Sequence, residues 1–296
     1  MRAFLWFLAI IVVTVLAAAV LAYPLYVALH PHFPEWWFDK IGTRLWQFLM
    51  LITIIGVVRH LGLRSARDFG YGAPRPRWLR QFGVGIVAGI LSMLPVTVSM
   101  LALGLRVARP DLDGHLLLGA LIAGALSGLV VGFVEETFFR GLMFGAVLKE
   151  LRRPLGAILL VAIVYASVHF LASTHIPPEE VTWHSGLNLL SASVSNFMAP
   201  AGIIDAWLAL LAVGMLLGAC AWWTGNIATG VGLHAGWVFV MRATVGVTRE
   251  NPASPLEWLI SPTTGYTGWL VLAWTLVLGI ALVLARGRFR HWHRTF

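Results

Sequence analysis

The chain has 296 residues, 59% of them hydrophobic and 11% charged, with 14 tryptophans and a mean hydropathy of +0.83. That composition excludes an ordinary soluble globular domain and places the sequence among polytopic membrane proteins. The net charge of +8 and pI near 10.5 would suggest nucleic acid in a soluble protein, but the placement of the bases assigns them to membrane orientation, and no nucleic-acid partner is expected.

The first apolar run is Ala3 to Leu29, preceded by Arg2. Val20-Leu21-Ala22 fits a cleavage site, but the run is longer than a usual signal-peptide core, so an uncleaved first span is expected. A loop with Pro31, Pro34 and the pair Trp36-Trp37 suits headgroup depth. A second span is predicted over Leu45 to Leu63, taking in Arg59 and His60. Arg64 to Arg80 reads as a basic connector against anionic headgroups. The third span is predicted over Phe82 to Leu105, with Pro95 inside it. The fourth, His115 to Leu148, is long for a bilayer and must tilt, bend or project from it. The fifth is Leu155 to Leu171. A long polar connection, Ala172 to Ala206, follows, with Leu187 to Met198 suited to a surface or re-entrant helix. Trp207–Trp223 and Ile227–Val245 form a hairpin through Thr224-Gly225-Asn226, Thr248 to Thr267 is a Pro-rich loop, and Gly268–Ala285 is the last span. The lone Cys220 lies in an apolar run and gives no disulfide framework. With no repeats or linkers, residues 1–296 read as a single integral membrane domain. The fold class is all-α, a polytopic membrane protein with about eight transmembrane helices.

With the N-terminus inside, the inner segments hold 14 bases and two acids, Asp68 and Glu150, whereas the outer segments hold six bases and nine acids. This asymmetry predicts both termini in the cytoplasm.

The exception to the apolar pattern is Glu135-Glu136-Thr137-Phe138-Phe139-Arg140, three ionisable groups inside the fourth span. A charge at a helix centre in lipid costs roughly 2.5 to 3.5 kcal/mol on insertion scales, so an intramembrane cluster signals a functional site. Glu136 and Arg140, at i and i+4 with the acid first, are spaced as a helical ion pair. Glu135 lies about 100° away and is left for chemistry. Gly124, Gly128 and Gly132 continue the Glu136 stripe as a small-residue ridge for a neighbouring helix. His169 falls in the fifth predicted span and His234 in the seventh. Glu135 and His169 are 34 residues apart, so a hairpin folded at Arg152-Arg153-Pro154 puts both about 25 Å from the turn. A Glu and a His at one depth can polarise a water, and a second imidazole can donate to an oxyanion. The chemistry that fits is amide hydrolysis without a cofactor, on a membrane-associated peptide or protein. Zinc held by Glu135, His169 and His234 is an alternative with an open position for water, although local His-x-x-x-His spacing is absent.

Glu135-Glu136-x-x-x-Arg140, Tyr165-x-x-x-His169 and His234 in Gly232-Leu233-His234-Ala235-Gly236-Trp237 resemble the three motifs of the CPBP family, the type II CAAX prenyl endopeptidases and the Abi-like bacteriocin-processing and immunity proteins. The likeness covers residues 119–245. It implies an intramembrane endopeptidase of the bacterial inner membrane with its active site between helices 4, 5 and 7. Glu135 and His169 would activate water, His234 would support the oxyanion, and Glu136 and Arg140 would hold the site. Two positions depart from the pattern. Tyr165 stands where Phe is usual, and Val238 stands where Asn or Asp is usual, which removes a donor from its expected place. Tyr165 and Asn226 are the candidate substitutes. The competing expectations are a non-catalytic binding or immunity protein of the same fold, motivated by Val238, and a proton-coupled transporter, against which stands the lack of inverted repeats.

Overall fold

A computed structural model describes residues 1–57, 62, 65–171 and 175–294. Among them six helical runs are long and apolar enough to cross a membrane. These are α1 (Arg2–Leu29), α2 (Phe38–Val57), α3 (Arg75–Ala102), the continuous run Gly114–Leu151, α8 (Ile204–Thr224) and α9 (Ala228–Val247). The Gly114–Leu151 run consists of α4 (Gly114–Glu136), a π-helical turn (Thr137–Met143) and α5 (Phe144–Leu151). Two shorter apolar helices, α6 (Pro154–Val168) and α10 (Trp269–Arg294, apolar to Ala285), stand where the fifth and eighth spans are predicted. The protein is an all-α polytopic membrane protein, with one small antiparallel pair of strands, β1 (Arg106–Ala108) and β2 (Thr248–Glu250), among the described residues.

Several predicted boundaries move. α2 starts at Phe38, not Leu45, because Phe38 and Ile41 are buried. α3 starts at Arg75, so Arg75, Arg77 and Arg80 are helical; Pro76 sits in its first turn, where a missing N–H costs nothing. α6 ends at Val168, three residues short of the predicted end. Arg59, His60 and Arg64 lie outside the described residues.

The chain divides into two compact units, Met1–Arg64 with Ala166–Ile203, and Ser65–Tyr165 with Ile204–Phe296. In the first, α1 packs on α2 and on α7 (Ser185–Met198), the helix predicted as surface or re-entrant. A Cβ on Gly186 would run into the Ala19 carbonyl of α1, so the helices touch backbone to backbone. The core of this unit gathers Ala22, Tyr26, Phe38, Ile41 and Leu189, and Trp46 donates to Thr14 Oγ1 at 3.2 Å.

In the second unit α9 runs between α3 and α4, and small residues set the spacing. The α4 ridge of Gly124, Gly128 and Gly132 lies on the backbone of α9; a Cβ at Gly124 or Gly132 would come within 2.9 Å of the Phe239 or Val231 carbonyl oxygen. Gly85 and Gly89 of α3 meet Gly232 and Gly236 of α9 in the same way. Large side chains on α4, Leu118, Ile122, Leu126 and Val130, are exposed instead. Lipid tails are as apolar as leucine, so tight packing of small residues is what holds such helices together. A core of Met93, Met100, Leu216, Leu217, Trp237, Tyr266 and Val271 joins α3, α8, α9 and α10. Beyond the far end of α9, the β1–β2 pair aligns Arg106 with Glu250.

Candidate active site

The glycine ridge determines what Glu136 meets. Four residues beyond Gly132 on the same stripe, its carboxylate faces α9, where the side chain is the next group after three glycines. Glu136 Oε1 receives Arg140 NH1 at 2.8 Å and lies 2.9 Å from His234 Nδ1. The Glu136 and Arg140 side chains are completely buried. Glu136 Oε2 has no hydrogen-bond partner among the described residues and lies against Gly230, where a Cβ would stand 3.1 Å away. Arg140 NH2 donates to the Gly214 carbonyl of α8 at 3.2 Å, and the guanidinium covers the Tyr165 ring at 4.3 Å. One ion pair therefore ties together the fourth, fifth, sixth and seventh spans.

Glu135 is different. Its side chain is 20% exposed, and Oε2 faces His234 Nε2 at 3.9 Å. The imidazole of His234, 5% exposed, is held between the two glutamates. Glu136 takes the Nδ1 edge at hydrogen-bond distance, and Glu135 stands off the Nε2 edge beyond direct hydrogen-bond distance. With Nδ1–H donating to Glu136, Nε2 is an acceptor in the neutral ring and a donor in the protonated one. The oxygen that pairs with Arg140 thus also meets His234.

The backbone at the site is unusual. Directly after Glu136 the helix widens into the π turn, a feature that occurs mostly at functional sites. Thr137 Oγ1 donates to Phe133 O at 2.6 Å and so accepts from Tyr71 OH, also at 2.6 Å. Tyr71 belongs to the connector read from sequence as a basic loop. The connector is ordered by a capping box in which Ser65 and Asp68 exchange hydrogen bonds, and its Phe69 carbonyl lies where a Cβ on Gly141 would be. The Ser65-x-x-Asp68 spacing was the available signal for this turn; nothing local marked Tyr71 or Gly214.

The remaining predicted residues fall as follows. Tyr165 is buried in α6, edge-on to Phe139 and to His234, with ring centroids at 5.2 and 6.3 Å. His169 lies one residue past the end of α6, in a turn, with an exposed side chain, and belongs to the first unit. It is therefore not inside a helix as predicted: α6 stops at Val168. Asn226 does not have a donor to spare. Its Nδ2 donates to Gln81 Oε1 at 2.8 Å and to Thr224 O at 3.0 Å, while Oδ1 accepts from Ala228 N at the start of α9. Val238 is a buried residue one turn beyond His234.

Residues 117–240 match the family model described as type II CAAX prenyl endopeptidase, Rce1-like. This segment is similar to the Rce1-like family. The match contains Glu135, Glu136, Arg140, Tyr165, His169, His234 and Val238, and it overlies the stretch read from the motifs as 119–245. No match is found among curated proteins or among solved structures. Within the matched segment, the described part of the site is built by α4, the π turn, α6, α8 and α9.

Proposed function

We propose that the protein is an intramembrane endopeptidase that hydrolyses a peptide bond with a Glu/His-activated water. The observation that supports this best is the setting of His234, with Nδ1 on buried Glu136 and Nε2 opposite the more accessible Glu135 at 3.9 Å. In this reading Glu135 takes a proton from water, with His169 sharing it, as the family resemblance implies. The water oxygen forms a bond to the carbonyl carbon, and the carbon–nitrogen bond then breaks. The proton taken by Glu135 leaves with the amine, so water and amide become acid and amine. In this reading His234 donates Nε2–H to the oxyanion. Glu136 and Arg140 fix its ring. With no donor at Val238 and Asn226 committed to its own partners, Tyr165 is the remaining candidate to assist His234, and loss of one oxyanion donor typically costs about 100- to 1000-fold in rate. A slow enzyme is expected.

The substrate is read as a membrane-associated peptide or protein, and the location as a bacterial inner membrane with both termini cytoplasmic, the side of the basic segments. The test compares peptide termini in membranes of cells expressing wild type or Glu135→Gln at matched levels. Termini present only with the wild type are expected. Identical sets, with the variant folded, overturn the reading and favour the second one, a non-catalytic immunity-type protein, for which Val238 speaks. Water activation is read as metal-free, so a zinc chelator should leave cleavage unchanged. Loss of cleavage that zinc restores would move Glu135, His169 and His234 into a ligand set.

A further inference from the structure

The cleavage reading does not use the end of the second unit where α5 meets α6 and the connector precedes α3. Arg67, Arg75, Lys149, Arg152 and Arg153 are all exposed there, against the acids Asp68 and Glu150. They come from two separate stretches, 67–75 and 149–153, that the fold draws together. Lys149 Nζ reaches Asp68 Oδ1 at 2.5 Å, which brings the connector to the end of α5. The connector is also seated from the other side, since Ile227 N donates to Gly70 O at 3.1 Å and Gly70 adopts φ +81° over the Ile227 side chain. The basic groups therefore stand on a fixed platform at the ends of apolar helices, the depth at which lipid headgroups lie.

Arg152 adds an independent observation. It caps α5 in the left-handed conformation, φ 54°, and is the one non-glycine residue with positive φ among the described residues. Glycine is the usual occupant of that cap because it bears no Cβ penalty. A helix end that accepts backbone strain to keep a guanidinium on its tip points to a use for the charge.

We propose that this end is a docking surface for the headgroups of anionic phospholipids, engaged by Arg67, Arg75, Lys149, Arg152 and Arg153 together. The lipid phosphates supply charge complementary to the five bases, and their acyl chains continue along the exposed apolar faces of the helices. The surface depends on the membrane fold and not on the cleavage reading, so it can be tested without a substrate.

The full chain is reconstituted in phosphatidylcholine bilayers containing trace spin-labelled phosphatidylglycerol or spin-labelled phosphatidylcholine, and the immobilised fraction of each label is measured. Wild type is expected to prefer phosphatidylglycerol, less so as sodium chloride is raised. Arg152→Gly should lower that preference by up to about fivefold, the worth of one base near an anionic surface, while thermal stability stays level or rises because the left-handed strain is gone. Arg67→Gln with Arg75→Gln and Arg153→Gln should remove the preference, and Arg249→Gln, beyond the other end of α9, should retain it. Equal association of the two labels with wild type overturns the proposal, as does a wild-type preference in Arg152→Gly. Displacement by inorganic phosphate beyond that by chloride at equal ionic strength would assign the bases to free phosphate, and also overturns it.

Discussion

Arg140 and Arg106 are both buried in the second unit, 2% and 3% exposed, but they are satisfied by different chemistry. Arg140 lies within a span and has a fully buried carboxylate at 2.8 Å. Arg106 lies on β1 between spans, and its close partners are neutral: Nε donates to Thr248 Oγ1 at 2.8 Å, NH1 to Gly265 O at 2.6 Å and NH2 to Thr248 O at 3.3 Å. Its acid, Glu250, stands at 3.8 Å and is half exposed. Burial pushes the Arg106 guanidinium down from its ordinary value, and Glu250 only partly counters this. Where there is no water, charge is matched by charge. At the helix ends, backbone carbonyls suffice, and the arginine becomes a clasp for the loop between α9 and α10.

The sharpest way to break that contrast is Arg140→Met. It strands Glu136 as a buried uncompensated charge, a loss expected to cost about 3 to 5 kcal/mol, so folded yield in detergent should collapse. Adding Glu136→Gln should recover much of the yield, since removing both charges spares the desolvation, while on the proposed reading cleavage stays low because His234 has lost its orienting carboxylate. If Arg140→Met folds as well as wild type, the ion pair is not what holds the four spans together.

Arg106→Met should be milder. No carboxylate is stranded in the interior; two carbonyls and a hydroxyl lose a donor, worth about 1 to 3 kcal/mol. The effect should be local, with faster hydrogen exchange over residues 248–268 and unchanged exchange in α9 around His234. Uniformly faster exchange throughout the second unit would show that the clasp supports the site after all.

Much of this was legible in the sequence because it rests on spacing within one helix. Glu136 and Arg140 are four apart, Gly124, Gly128 and Gly132 extend the same stripe, and Arg152-Arg153-Pro154 folds the hairpin between α5 and α6. The eight apolar runs stood out because lipid demands uninterrupted apolar helix. What could not be read depends on residues far apart in the chain. The bond from Glu136 to His234 spans 98 residues, and the contact of Tyr71 with Thr137 spans 66. Arg106 resembled any basic residue after a span, and its burial follows from a loop that closes over it about 160 residues later. The π turn at Thr137–Met143 has no proline or other local marker. His169 and Asn226 show the opposite error, where a motif position suggested a setting that local structure alters: a helix ending at Val168 in one case, a cap at Ala228 in the other.

The smallest effect belongs to the neighbour of the Arg106 clasp. Tyr266, in the same loop, is buried, and its hydroxyl pairs with Thr97 Oγ1 at 2.8 Å. Burial pushes its phenol above the ordinary value near 10, with the Thr97 and Thr244 hydroxyls and Arg106 working in the other direction. The folded state therefore binds the phenolic proton more tightly than the unfolded state. Its contribution to stability is complete below about pH 10, and is lost as the pH rises toward the higher folded value. Wild type should lose stability relative to Tyr266→Phe above about pH 10, while below that pH the variant should be the weaker by about 1 kcal/mol, the worth of one hydrogen bond. The two curves, measured by thermal unfolding across the alkaline range, should converge. Parallel curves would mean that the phenol is as well solvated in the folded protein as in the unfolded chain, and that the clasp around Arg106 is open to water. The contrast between a site closed by charge and a loop closed by carbonyls would then reduce to a difference in exposure.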